Sequence, residues 1–312
     1  MRRVLLSLLV LLAVSIGIFA LLRAIPGDPV SASEQAGSIA LTKDQVDEIR
    51  RELGLDEPLW QQYAIWMRDL LRGDGGDSLA RHNSTVSNLR TALPVTLELA
   101  IVSAIGGFLI GVPLGVLSAT RRNSALDYLA RGFSVGGLSI PDFWIGVMVL
   151  VYLALWFSWT VPFGYVPIWE DPARNIQQFG IPALILSLRL SASTLRFTRG
   201  GMLEVLNEDY VRTARAKGLR ERTVVVRHAL RNALIPVVTV TSVQMAYLLG
   251  GAVVMETLFS LPGIGLLTVT SVTQRDYTQV QTNVMFFAAT TISINIVVDM
   301  LYAWIDPRIR LA

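Results

Sequence analysis

The chain contains no cysteine, which excludes disulfides, thiolate metal sites and cysteine nucleophiles. Charge is scarce as well. Asp, Glu, Lys and Arg make up 16% of its 312 residues, against ~25% in a typical soluble domain. Histidine occurs only at His82 and His228. Both fall outside the apolar runs, which argues against a serine–histidine pair working at membrane depth. Lysine occurs only at Lys43 and Lys217, against 25 arginines, a bias that reads as codon usage. Neither lysine has glycines before it at G-x-x-x-x-G-K spacing, so there is no loop to cradle a nucleotide phosphate.

What the chain has instead is apolar sequence, 52% of the total. Crossing a ~30 Å hydrocarbon core takes ~20 such residues. Six spans are predicted, near Val4–Ala24, Leu93–Ala119, Phe133–Trp159, Phe179–Phe197, Ala233–Leu258 and Val284–Ile305. The first is longer than the 7–15 residues of a signal-peptide core and is expected to be retained. The fourth is the weakest, because Arg189 interrupts it. Basic residues divide unevenly between the two sides. Sixteen lie at Arg2 and Arg3, in 120–132, in 196–232 and at Arg308 and Arg310, whereas the two short intervening loops hold one each, Arg174 and Arg275. Positive loops stay inside, and long loops cross whatever their charge. Both termini are therefore expected in the cytoplasm. Trp156, Trp159, Tyr165 and Trp169 would form an aromatic belt at the outer end of the third span.

The first external loop, 26–92, carries helix signals. Thr42 followed by Gln45 resembles a capping box, and Leu41 and Val46 suit a hydrophobic staple. Pro58 suits a helix start. Leu59, Tyr63, Trp66, Met67, Leu70 and Leu71 then recur at three- to four-residue spacing up to Gly73. Two short amphipathic helices result, covering the bundle or forming a lid over its external mouth. Gly106, Gly107, Gly111 and Gly115 stripe the second span, where small residues let helices approach closely.

The polar segment 196–236 is the most informative. Nine basic residues face four acids between Arg196 and Asn232. Asp209 is the expected N-cap, Tyr210 to Lys217 give two helical turns, and Gly218 suits the left-handed position after a helix. A second helix starts near Glu221 and runs towards Asn232. A short helix tethered to two spans can transmit a push. The alternative is a merely solvated positive-inside loop, and length and punctuation favour the first.

This run resembles a known signature. Asp209-Tyr210-Val211-Arg212-Thr213-Ala214-Arg215-Ala216-Lys217-Gly218-Leu219, continued by Arg227-His228-Ala229-Leu230-Arg231-Asn232-Ala233-Leu234-Ile235-Pro236, is similar to that of ABC importer permeases of the dipeptide, oligopeptide and nickel branch. Further matching pieces are Pro26-Gly27-Asp28-Pro29, Leu53-Gly54-Leu55-Asp56, Ser139-Ile140-Pro141, Glu256-x-x-Phe259-x-x-Pro262-Gly263-x-Gly265, Arg275-Asp276-Tyr277 and Asp306-Pro307-Arg308-x-Arg310. Gly75 and Thr278 depart from it, standing where a large apolar residue and a proline are usual. The resemblance implies an all-α integral membrane protein of type I importer fold, with six transmembrane helices and a cytoplasmic coupling helix. The first region is 1–92, with one span and the external loop. The core permease is 93–312, with coupling loop 196–236. Glu208, Asp209, Tyr210, Arg212, Ala214, Arg215, Lys217 and Gly218 would couple to an ATPase. Implied partners are a homologous second permease, two ABC ATPase subunits holding ATP and magnesium, an extracytoplasmic substrate-binding protein and the lipid bilayer, with no nucleic acid. The expected place is a bacterial inner membrane. The chain itself would carry no cofactor, no metal and no catalytic residue.

Ionisable residues at membrane depth cost ~2.5–3.5 kcal/mol each on insertion scales and usually face a bundle interior or water. Arg189, Asp142 and Gln244 are the pathway candidates. The competing reading for Arg189 is an ion pair that fixes packing. Asn295 and Asp299, four apart on one helix face, read as structural. Glu256, Pro262, Gly263 and Gly265 suggest a turn at an external gate. The expected function is a permease subunit forming half of a pathway for dipeptides, oligopeptides, or a related solute such as a nickel complex, glutathione or a sugar. A secondary transporter without an ATPase would show paired halves with interrupted helices, and no such repeat is visible.

Overall fold

The computed structural model describes residues 2–25, 56–162 and 164–305, the side chains at 2–4, 239, 241–243, 245–247, 249, 251 and 298–305 excepted. The expected helix after Thr42 and the motifs at Pro26–Pro29 and 306–310 lie outside the described residues, as does the side chain of Asp299. The described backbone is helical, with one isolated bridge between Asp77 and Ser84. Backbone groups in lipid must be satisfied within the segment, which helices achieve.

The helices are α1 (Arg2–Ala24), α2 (Leu59–Leu71), α3 (Thr85–Thr120), α4 (Ala125–Ser139), α5 (Asp142–Phe157), α6 (Pro172–Val205), α7 (Asp209–Ala216), α8 (Leu230–Leu258), α9 (Ile264–Thr273) and α10 (Tyr277–Ile305). The chain divides into two compact units. The first comprises Met1–Val95 and Pro262–Ser293, the second Thr96–Leu261 and Ile294–Ala312.

In the first unit α2 lays Tyr63 and Trp66 on Phe19 of α1, with ring centroids 5.4 and 6.1 Å away. Its Leu59 and Leu71 remain exposed. A small core joins Leu89 and Ala92 of α3 to Ile264 and Leu267 of α9, backed by Phe286 and Phe287. Asp276 is buried ahead of α10, where it caps Gln279 N (3.1 Å) and accepts from Ser78 Oγ (2.5 Å). That cap ties the loop before α3 to the start of α10. Gly75 is packed so closely against Thr85 and Thr282 that a Cβ there would overlap both side chains. A large apolar residue at that position does not fit this loop.

In the second unit α6 is the central helix, with buried residues from Asn175 to Met202. The glycine stripe on α3 is where it packs. A Cβ on Gly107 would meet Leu190 Cβ at 2.7 Å, on Gly111 Thr194 Cβ at 2.7 Å, and on Gly115 Thr198 Cβ at 2.6 Å. The stripe thus lets the two helices touch along four-residue rows. Ser134 Oγ on α4 donates to the Ala192 carbonyl of α6 at 2.7 Å. Such interhelical bonds supply cohesion where lipid offers no hydrophobic drive.

The span expected over Phe133–Trp159 is not a single helix. It is α4 and α5, meeting at 94°. Proline has no N–H and pushes the residue before it out of the helical region, and Ile140 sits at φ −91°, ψ 126° ahead of Pro141. Among the described residues α1, α3 and α10 are long and apolar enough to cross a membrane, and the bent pair makes a fourth if counted as one. The 34-residue α6 is less apolar, because it carries Arg189 and a run of serines. Its surroundings are largely other helices, so it needs less lipid-facing surface.

Two polar stretches also read differently in three dimensions. Segment 196–236 is not one loop. Helix α6 continues to Val205, starting at an Asp171 cap with Pro172 behind it. After α7 the chain is helical again from Glu221, as expected, but it passes through a π-helical turn at Val224–Ala229 and runs without a break into α8. The turn expected at Pro262–Gly265 is shorter than anticipated, since Ile264 already begins α9.

Candidate functional site

Two features of the second unit stand out, an exposed charged helix and a cleft. The helix is α7, eight residues long and therefore ~12 Å. Its Val211 and Ala214 are buried with Val224 against Val205 and Leu206. Apolar residues three apart form one face, which seats α7 on the end of α6 and on the turn that leads into α8. Asp209 opens the helix and Arg215 lies in its last turn, both favourable to the helix dipole. The N-cap is Glu208, not Asp209, and it makes no side-chain capping bond. Gly218 takes φ +75°, and a Cβ added there would have no neighbour within 4 Å. This is the left-handed exit expected of it.

The outer face of α7 is polar. Glu208, Asp209, Tyr210, Arg212, Arg215, Lys217 and Gly218 are exposed, whereas Ala214 is buried and faces its own bundle. Asn232 Nδ2 donates to Tyr210 Oη at 2.7 Å, tying α7 directly to α8. Arg215 makes a two-pronged contact with Glu221, Nη2 to Oε1 at 2.8 Å and Nε to Oε2 at 3.1 Å. That guanidinium holds the Glu221 carboxyl below its ordinary range, and the carboxylate raises Arg215 in turn.

Close to the α7 end of α6 lies an ion pair that sequence reasoning did not single out. Asp127 of α4, fully buried, accepts from Arg199 of α6 through Nε (2.8 Å) and Nη2 (3.0 Å). Ser118 Oγ on α3 (2.6 Å) and Asn123 N (3.0 Å) complete its bonding. A buried charge is tolerable when paired and fully hydrogen-bonded, and this one binds three helices. The two residues are 72 apart, a separation that no local pattern reports.

The cleft has a volume of about 630 Å³ and is lined by α4, α5, α6 and α8. Arg189, Asp142 and Gln244, from three different helices, all lie on its wall. Arg189 Nη1 donates to Asp142 Oδ1 at 3.1 Å, so the pairing and the cleft position hold together. The 94° bend puts Asp142 at the first position of α5, directly at the break. Gln244 Nε2 donates to Ser193 Oγ. Ser193 was not anticipated, although it lies four residues from Arg189 and hence on the same helical face. The rest of the lining is apolar, including Leu138, Phe143, Leu186 and Val254.

The four residues expected at an external gate do not form one loop. Glu256 lies inside α8, fully buried, and accepts from Thr96 Oγ1 at 2.6 Å in the second unit. Pro262, exposed, precedes α9 in the first unit, where Gly263 and Gly265 are buried. Glu98 of α3 accepts from Tyr165 Oη (2.7 Å) and Asn175 Nδ2 (2.6 Å), so it is a packing residue of the second unit. Trp156 and Trp169 of the aromatic cluster are exposed.

Residues 111–311 match the family described as the binding-protein-dependent transport system inner membrane component, and residues 1–100 match the N-terminal region described for that transport system's membrane component. The oligopeptide transport system permease protein AppB of Bacillus subtilis is 39% identical over 99% of this chain and 98% of its own length. The dipeptide transport system permease protein DppB of Escherichia coli is 36% identical with the same coverage. Among solved structures, an amino acid ABC transporter with histidines aligns with TM-score 0.54 at 13% identity, covering 69% of this chain and 93% of that one. The MetNI methionine ABC transporter in an inward-facing conformation aligns with TM-score 0.52 at 19% identity, covering 70% of this chain and 96% of that one. These structures share the type I importer permease fold with this chain.

Proposed function

This chain belongs to the binding-protein-dependent transport system inner membrane component family, and from that premise we propose how it works as the permease component of an ABC importer. It forms half of a translocation pathway with a homologous second permease. Two ATPase subunits carry the ATP and magnesium, and an extracytoplasmic binding protein delivers the solute. The solute is a dipeptide or oligopeptide, a reading that rests on the names of relatives aligned over nearly their whole length. The site is a bacterial inner membrane with both termini cytoplasmic, a reading supported by the arginines at 196–232 and at both ends.

One observation carries the coupling reading. Helix α7 offers a charged outer face, yet its inner face packs on the end of α6 and its Tyr210 is bonded to Asn232 of α8. Helices α6 and α8 are two of the four that wall the cleft. A partner that shifts α7 therefore shifts the walls around Arg189 and Gln244. Alternating access needs two states with different contacts at such an element. The chain adds no chemistry of its own to the cycle; its contribution is mechanical and selective.

The cysteine-free chain suits a direct test. A single cysteine at Arg212 should cross-link to an ATPase subunit in the assembled complex, with the yield changing between nucleotide-free and ATP-bound forms. A cysteine at Arg72, on the external loop, should not. No cross-link at Arg212 in an active complex would refute the docking role of α7.

A further inference from the structure

We propose that Arg189 and Asp142 form a clamp for zwitterions, selecting solutes that carry an ammonium and a carboxylate on one short backbone. The inference rests on reading the cleft as part of the pathway. Its starting point is an ion pair that is only half used. Arg189 makes one hydrogen bond to Asp142 at 3.1 Å, although a guanidinium has five N–H donors. The Arg189 side chain is 49% exposed and that of Asp142 17%, so both present free bonding capacity to the cleft.

The pair is neutral as a whole, and that decides what can replace it. A solute with a carboxylate and an ammonium can exchange partners with both residues, so every charge stays paired. The carboxylate gains the two-pronged geometry that arginine favours, and the ammonium takes the Asp142 oxygens. A solute with only a carboxylate would strand Asp142, and one with only an ammonium would strand Arg189. An unpaired charge in an apolar wall is costly, so discrimination arises by rejection as well as by attraction. Arg189 lies on α6 and Asp142 on the first turn of α5. Movement between those helices would open or close the clamp. On the wall of the same cleft Ser193 and the Gln244 amide, bonded to each other, can turn to a peptide group. The apolar lining accepts side chains without preference.

The test uses the full complex in proteoliposomes, energised with ATP, with the binding protein saturated by each probe. The probes are alanyl-alanine, its C-terminal amide and its N-formyl derivative. Wild type should import the free dipeptide about tenfold faster than either derivative. Arg189→Gln should abolish the preference over the amide while keeping that over the N-formyl form. Asp142→Asn should do the reverse, and Arg189→Lys with Asp142→Glu should keep both. Ratios do not depend on how much complex assembles. Reduced uptake with unchanged ratios would overturn the clamp and leave a packing pair. A separate variant, Gly250→Trp, fills the cleft at a position with no neighbour within 4 Å. Normal uptake of all probes by that variant would instead sink the pathway reading itself.

Discussion

Replacing Asp127 by alanine should destabilise the second unit by about 3–5 kcal/mol, the usual cost of breaking a buried ion pair from one side. The structure shows why the upper part of that range applies. The carboxylate is fully buried and has four bonds, two from Arg199 and one each from Ser118 and Asn123. Without it the Arg199 side chain, 19% exposed, faces protein with no carboxylate opposite. Arg199→Met should cost somewhat less, because the buried carboxylate then keeps a hydroxyl, one amide and only the longer contact to Arg131 Nε at 3.7 Å. Removing both charges at once, in Asp127→Leu with Arg199→Met, should cost only ~0–2 kcal/mol, since a buried pair recovers little more than its own desolvation. Two single costs of about 3 kcal/mol and a double of about 2 already leave a coupling energy of about 4 kcal/mol in this double-mutant cycle. Equilibrium unfolding of the purified chain in mixed micelles, followed by tryptophan fluorescence, measures all four corners. Additive single effects, or singles below ~1 kcal/mol, would refute the argument that this pair binds α4 to α6.

Other consequences follow from particular contacts. Gly111→Leu should cost at least ~1–3 kcal/mol by overpacking, because a Cβ there already meets Thr194 Cβ at 2.7 Å and the Ser191 carbonyl at 2.8 Å. Gly132→Leu, with open space around it, should leave the same unfolding midpoint unchanged. Gly75→Leu should loosen the loop at Asp77–Ser84, detected as faster proteolysis there, because Thr85 and Thr282 leave no room. Glu221 has its carboxyl depressed by Arg215. Its contribution is therefore present above the ordinary carboxylate value near ~4.3 and is lost as pH falls through the lower folded value. Glu221→Gln should then lower stability by less than ~1 kcal/mol at pH ~7, an exposed pair being weak. It should match wild type once the pH has fallen through the folded value and the carboxyl is protonated; a difference persisting in that acid limit would contradict the ion-pair origin.

Features set by local chemistry were legible in the sequence. The spacing from Leu59 to Leu71 foretold α2, Gly218 foretold the end of α7, and the α3 glycines foretold a close helix contact. Polarity misled where a helix merely leaves the bundle. Arg196 to Val205 read as part of a polar loop, yet backbone bonding carries α6 on into the polar region, whereas the helix expected from Glu221 towards Asn232 is present. The bend at Pro141 was hidden by unbroken apolarity on either side of one proline. Helix α9 was hidden by its own shortness, ten residues after a Pro-Gly pair. Partnerships across the chain were the least legible. Asp142 and Arg189 stand 47 residues apart, and the sequence left open whether Arg189 faced an acid or the pathway. The fold gives it an acid, and the bend turns Asp142 onto the wall of the same cleft as Arg189.

The central claim is that a partner's movement reaches the cleft through α7. Gly218→Asp tests it most directly, because aspartate tolerates a left-handed backbone better than most residues and nothing in the chain crowds that position. Uptake and ATP hydrolysis should be measured together in one preparation of proteoliposomes holding the full complex. The account predicts normal assembly and continued hydrolysis, with solute imported per ATP reduced about tenfold. An unchanged ratio of solute to ATP would contradict it.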